Sequence, residues 1–202
     1  GASLLDCLWD LGPRHRAFAA SFYRRGGIVL PGVMGLDGRP LAGWGQYSLS
    51  PVQGACRAQA FEQHWRYTGD RAFLTDRAYP YLSMVAEGLL GLMTPDASGH
   101  LALPLSSSPE IHDNSLQAWL TPTSNYDLAL IRWLFGALSA MARELNRPAD
   151  VARWDASLAR MAPLAVDEST QVLRVSPDES LRTSHRHFSH LMAIHPLGTL
   201  NV

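Results

Sequence analysis

The chain has 202 residues, of which 47% are hydrophobic and 17% charged, and its formal net charge is −1. That length and composition suit one globular domain with a sizeable core and exclude a disordered chain. No concentrated run of Lys or Arg is present, so nucleic acid and anionic membrane are not expected partners, and no apolar run approaches the roughly 20 residues that span a bilayer.

Helical periodicity dominates. Gly1-Ala2-Ser3 opens directly onto an amphipathic stretch without a visible secretory leader, and Leu4 to Arg25 is predicted helical with a break at Gly12-Pro13. Two cysteines, Cys7 and Cys56, are expected as buried thiols rather than a disulfide framework. Gly26 to Tyr47, rich in Gly and Pro, is expected to be an ordered loop. A helix follows Pro51 within Ser48 to Tyr67, because Cys56, Ala60, Phe61, His64 and Trp65 fall on neighbouring faces. Gly69 suits its left-handed end, and Asp70 can cap the next helix. Arg71 to Met93 then reads as a short helix, a new start at Pro80, and an apolar helix through Leu82, Val85, Ala86, Leu89 and Leu92.

Thr94 to Ser124 has little helical period, and an ordered segment of about thirty such residues in a compact domain is a candidate functional loop. Asn125 is the expected N-cap of a long helix running through Leu128, Ile131, Leu134, Phe135, Leu138 and Met141 to Leu145. Pro148 starts another, Ala149 to Met161, and a short one should follow His187. Helices joined by short turns imply antiparallel pairs. The chain stops at Leu200-Asn201-Val202 after an apolar run, which reads as part of a longer protein.

Four stretches carry a resemblance. They are His64-Trp65-Arg66-Tyr67-Thr68-Gly69-Asp70 with Phe73-Leu74 and Ala78-Tyr79-Pro80, then Ser106-Ser107-Ser108-Pro109-Glu110, then Asp127 with Leu130, Arg132, Leu134 and Phe135, and last Ser184-His185-Arg186-His187-Phe188-Ser189-His190-Leu191. In order and spacing the set resembles the inverting α-L-fucosidase family of glycoside hydrolases, with α-L-galactosidases among its relatives. The resemblance implies an all-α fold of antiparallel helix pairs from an (α/α)6 toroid. Six pairs need more than 202 residues, so residues 1–202 are expected to be one incomplete piece of that barrel, completed by missing segments of its own full-length protein. It also implies an oligosaccharide or glycoconjugate substrate, no cofactor, and a location outside the cytoplasm.

Glycoside hydrolysis needs a proton for the departing oxygen and a nucleophile at the anomeric carbon, and inverting enzymes hold two carboxyl groups about 6.5–9.5 Å apart to admit a water. Glu110, after Pro109, matches the family's acid; without the resemblance it reads as a solvated loop charge. Asp178 is the nearest match to the family's base and Glu179 its rival, although Ser176-Pro177-Asp178-Glu179-Ser180 also suits an ordinary turn. The family orients the attacking water through asparagines after an aromatic loop. Here Gly43-Trp44-Gly45-Gln46-Tyr47-Ser48-Leu49-Ser50-Pro51 contains none. Ser50 falls closest to the missing amide, with Gln46 or Gln53 as substitutes. This leaves open both a hydrolase for an L-fucose-like or related sugar and a weakly active or non-catalytic carbohydrate-binding relative.

His185, Arg186 and His187 are assigned by the resemblance to sugar binding. A structural role at a helix junction stays open for them, and no metal is expected, since no carboxylate or Cys lies at a ligand-like interval in the cluster. Trp44 and Tyr47 suit stacking on a sugar face, as does Trp119, whereas Trp65, Trp133 and Trp154 belong to helices and the core.

Overall fold

The computed structural model describes residues 3–41, 43–182 and 184–200. Of the terminal residues considered above, Gly1, Ala2, Asn201 and Val202 lie outside them. Helices dominate: α1 (Leu4–Asp10), α2 (Gly12–Phe18), α3 (Gly45–Ser48), α4 (Gln53–Thr68), α5 (Arg71–Phe73), α6 (Tyr79–Leu92), α7 (Asn125–Glu144) and α8 (Pro148–Ala159). One antiparallel ladder, β1 (Thr94–Pro95) with β2 (Leu101–Ala102), interrupts them.

The long helices form two consecutive hairpins. α4 returns as α6, and α7 returns as α8, with α7 packed on α8, α6 and α4. Gly69 closes α4 at φ +64° and Asp70 caps α5 by accepting from the Phe73 N–H, so one tripeptide stops a helix and starts the next. α7 lies at the centre and most of its 20 residues are buried, including Leu130, Ile131, Leu134, Phe135 and Leu138. Trp154 of α8 stacks on Phe135 and donates its indole N–H to the Tyr79 hydroxyl of α6 at 3.0 Å, which ties the two hairpins together. Such nested antiparallel pairs are the repeating unit of an (α/α)6 toroid, of which the chain supplies a part.

Three expectations need correction. Pro80 does not open a separate helix: α5 runs on through a π-helical turn, Leu74–Ala78, into α6, and the widened turn accommodates a residue that has no N–H. Ser124, not Asn125, caps α7, because the Asn125 carboxamide bonds instead to both main-chain groups of Ala165 and to the Arg174 carbonyl. Cys7 is exposed on α1 and Cys56 only half-buried; both are free thiols.

The loop from Gly26 to Trp44 is seated on α6 through Ile28, Val29 and Leu30, each 1% exposed. The Ile28 N–H donates to the Met84 carbonyl at 2.9 Å, and Gly88 leaves room for the crossing, since a side chain there would collide with the Ile28 carbonyl. Gly32 likewise lies against the Tyr47 carbonyl, where a methyl group would overlap it. Helix packing thus fixes where α3 sits.

His15 on α2 is fully buried and neither ring nitrogen has a partner among the described residues. Burial lowers its pKa from 6.5 to about 4. The folded chain therefore keeps His15 neutral while the unfolded chain protonates it, so the His15 contribution to stability is full above pH 6.5 and declines as pH falls toward 4. In denaturant titrations, His15→Leu should lose less stability than the parent across that interval; parallel losses would show that His15 does not carry the effect.

Candidate active site

The loop before α7 is anchored by a buried carboxylate. Asp127, in the first turn of α7, has no exposed surface. Its Oδ2 accepts from the Ser106 hydroxyl at 2.6 Å and more distantly from the Ser107 N–H at 3.4 Å. Ser124 caps the helix by accepting from the Asp127 N–H, and its hydroxyl donates to the Ser107 carbonyl at 2.6 Å. Ser108 pairs hydroxyl to hydroxyl with Ser189 at 2.6 Å, which binds this loop to the histidine segment. The three serines before Pro109 are therefore an anchor, not filler.

Beyond that anchor the backbone coils tightly. Glu110, His112 and Asp113 all have positive φ, 59°, 61° and 52°, a region that L-residues enter at a cost and that must be held by its surroundings. Gln46 of α3 supplies part of the hold. Its Oε1 accepts from the Glu110 N–H at 2.8 Å, and its Nε2 donates to the carbonyls of Ile111 at 2.6 Å and Ser108 at 3.1 Å. Asn114 reaches back to accept from the Gly45 N–H at 2.9 Å. His185 Nε2 lies 3.3 Å from the Glu110 carbonyl.

The Glu110 carboxylate itself meets the Arg186 guanidinium and lies 3.3 Å from His187 Nε2. Its side chain is 13% exposed, against 72% for Arg186. Partial desolvation pushes the Glu110 pKa up, but the His187 imidazole beside it and the Arg186 charge outweigh it and hold the carboxyl below its ordinary value. The Tyr47 phenol is pushed up to about 12, first by burial and then by the charge and hydrogen bonding of Glu110.

Glu110, Asp178, His185 and Arg186 line one open cleft of about 660 Å³, a volume within the usual range for ligand sites, about 300–1,000 Å³. Asp178 is exposed at the tip of a turn closed by main-chain bonds between Ser176 and Glu179. Its rival Glu179 is engaged by His112 Nε2 at 2.7 Å. His112 gave no signal in the sequence, because its partner lies 67 residues away.

The other candidates are not among the residues that line this cleft. Tyr47 and His187 reach Glu110 directly. Trp44 packs edge-on against Tyr47 with ring centroids 5.6 Å apart, and its indole N–H is buried without a partner among the described residues. Ser50 is 4% exposed with its hydroxyl equally unpartnered. Gln46 is 3% exposed and bonded to main chain only. Trp119 packs near Gly45.

Comparison with known proteins bears on what this arrangement belongs to. Residues 2–202 match the glycosyl hydrolase family 95 catalytic domain. The chain belongs to that family. It is 27% identical to Alpha-L-fucosidase 2 of Arabidopsis thaliana over 169 residues, which is 81% of this chain and 20% of that protein. The chain thus spans about one fifth of the length of this curated relative. A solved structure described as a kojibiose phosphorylase from the human microbiome superposes with a TM-score of 0.63 at 13% identity, covering 83% of this chain and 24% of that one. At that identity the likeness concerns the fold, and it agrees with a portion of an (α/α)6 barrel.

In this family 95 chain, the Asp127 anchor has a measurable signature. Burial raises its pKa from 3.8 to about 7, against the lowering effect of the bonds from Ser106 and Ser107. A protonated Asp127 can donate to Ser106, whose own hydroxyl then turns to Ser124, 3.1 Å away. The folded chain retains a proton that the unfolded chain releases, so this contribution is full below pH 3.8 and lost as pH rises through about 7. Asp127→Asn should remove that loss from the stability profile, opposite in sign to the His15 effect. An unchanged decline toward pH 7 in the variant would assign it to another group.

Proposed function

We propose that this chain contributes the acid-bearing part of a glycoside hydrolase active site that removes a terminal α-L-fucose-like or related sugar with inversion, Glu110 acting as general acid and Asp178 as base. The observation that carries the proposal is the shared cleft: Glu110 and Asp178 line the same opening, and Glu110 is shielded enough for a bound sugar to complete its desolvation. Asp178 is favoured over Glu179 because His112 occupies the latter. His185, Arg186 and His187 border the acid and offer N–H donors to ring hydroxyls. Tyr47 lies beside the acid and Trp44 packs on Tyr47.

A general acid must carry a proton, whereas Arg186 and His187 hold the Glu110 carboxyl below its ordinary value. Arg186 is mostly exposed. A sugar hydroxyl that takes its donors, and excludes water as it does so, would weaken the ion pair and raise the Glu110 pKa. Hydrolysis then proceeds as the Glu110 proton passes to the glycosidic oxygen while Asp178 draws a proton from the attacking water.

Two experiments on the full-length protein test this. Glu110→Gln should reduce turnover of an alkyl α-L-fucoside by about 10²–10⁴-fold, the usual worth of general acid catalysis, and should leave sugar binding intact. A nitrophenyl fucoside should suffer less, because a phenoxide departs without needing a proton. Normal turnover of both by the variant would reject Glu110 as the acid. Arg186→Gln should move the alkaline limb of the kcat/KM profile to higher pH, since the acid then keeps its proton longer; a shift to lower pH would contradict the ion-pair reading.

A second reading is a carbohydrate-binding relative without catalysis, favoured by the absence of asparagine from Gly43 to Pro51 and by the occupation of the Gln46 amide. Sugar binding by the full-length protein with no turnover on a panel of glycosides would establish it.

A further inference from the structure

We propose that Gln46 is a positioning residue for the acid: its carboxamide clamps the main chain on both sides of Glu110 and thereby sets where the Glu110 carboxyl points. This inference rests on the reading of Glu110 as general acid and deepens it. Both amide hydrogens of Gln46 are engaged, by the carbonyls of Ser108 and Ile111, and its oxygen accepts from Glu110 itself. With the side chain 3% exposed, neither water nor sugar can reach it. Gln46 therefore cannot substitute for a water-orienting asparagine; its chemistry is directed inward.

The clamp matters because of the backbone it holds. Glu110 lies at φ +59° in a loop whose own turn bonds are an Ile111 N–H to Ser108 carbonyl bond of 3.0 Å and a longer Asp113 N–H to Glu110 carbonyl contact of 3.4 Å. A left-handed non-glycine residue tends to relax toward negative φ unless its neighbours are fixed. Such a flip would redirect the Cα–Cβ bond and carry the carboxyl away from Arg186, His187 and the cleft. Gln46 is itself fixed, since the Gly45 N–H at the start of its helical turn is bound by Asn114 and the turn is backed by Gly32. The clamp joins two loops 64 residues apart in sequence.

The test compares leaving groups in the full-length protein. A merely structural defect lowers the fraction of folded enzyme and reduces turnover equally on every substrate. A displaced acid acts selectively, since a misplacement on the order of 1 Å costs about 10²-fold where the group is needed. Gln46→Met keeps the volume and removes all three bonds. It should lower kcat on an alkyl fucoside by roughly 10²-fold, with KM little changed and a much smaller loss on the nitrophenyl fucoside. Equal losses on the two substrates, or none, would overturn the clamp. Glu110→Gln run beside it separates the two claims. Selective loss in Glu110→Gln but not in Gln46→Met sinks the clamp and leaves the acid standing. Alkyl-fucoside turnover that is unchanged in Glu110→Gln sinks the acid reading itself. Amide hydrogen exchange on the unaltered protein gives an outcome even if Gln46→Met does not fold. The Glu110 N–H should be protected by its bond to Gln46, and exchange as fast as in an open loop would overturn the inference.

Discussion

A loop that presents a carboxyl to a cleft must lose water around its own main chain, and every N–H and C=O it buries then needs a partner from elsewhere. That constraint organises this molecule. Between Ser107 and Asp113 the chain is neither helix nor strand, and beyond short turn bonds such as that from the Ile111 N–H to the Ser108 carbonyl it has no ladder of its own. Its polar groups are taken up by Asp127 and Ser124 at one end, by Gln46 in the middle, and by Ser189 and His185 on the far side.

The helix hairpins serve this arrangement by holding the three loops at fixed spacing. α7 contributes both its apolar face to the core and its first turn to the loop anchor, so a largely buried helix also holds the Glu110 loop. The loop before α3 is seated on α6 by a buried extended run and two close glycine approaches. The rigid part of the protein therefore reaches Glu110 through short connections, the arrangement expected where a reacting group must be placed to within fractions of an ångström.

Electrostatically, the site combines groups whose pKa values are driven apart. Asp127, with no cation partner among the described residues, is pushed toward neutrality by burial, while Glu110, at the cleft with Arg186 and His187, is held below its ordinary value. Two carboxyl groups on one loop system thus differ because of burial and neighbours alone. The deeper one supports structure, and the one at the cleft is the group to which the proposed mechanism gives the acid role.

The helices were legible because apolar spacing, Gly69, Asp70 and Pro148 are local signals that need no knowledge of the rest of the chain. The residues picked out by the resemblance, Glu110, Asp178, His185 and Arg186, lie around one cleft. What the sequence could not supply were partnerships across long separations. Gln46 reads as a spare amide until its 62-, 64- and 65-residue contacts are seen, and Asn125 reads as a helix cap until Ala165 and Arg174 claim its side chain. His112 is tied to the acidic turn through Glu179. Local periodicity determines which segments are helical, because helix bonds close within four residues. The placement of a loop's hydrogen-bond partners is a property of the packed chain, and only the tertiary structure decides it.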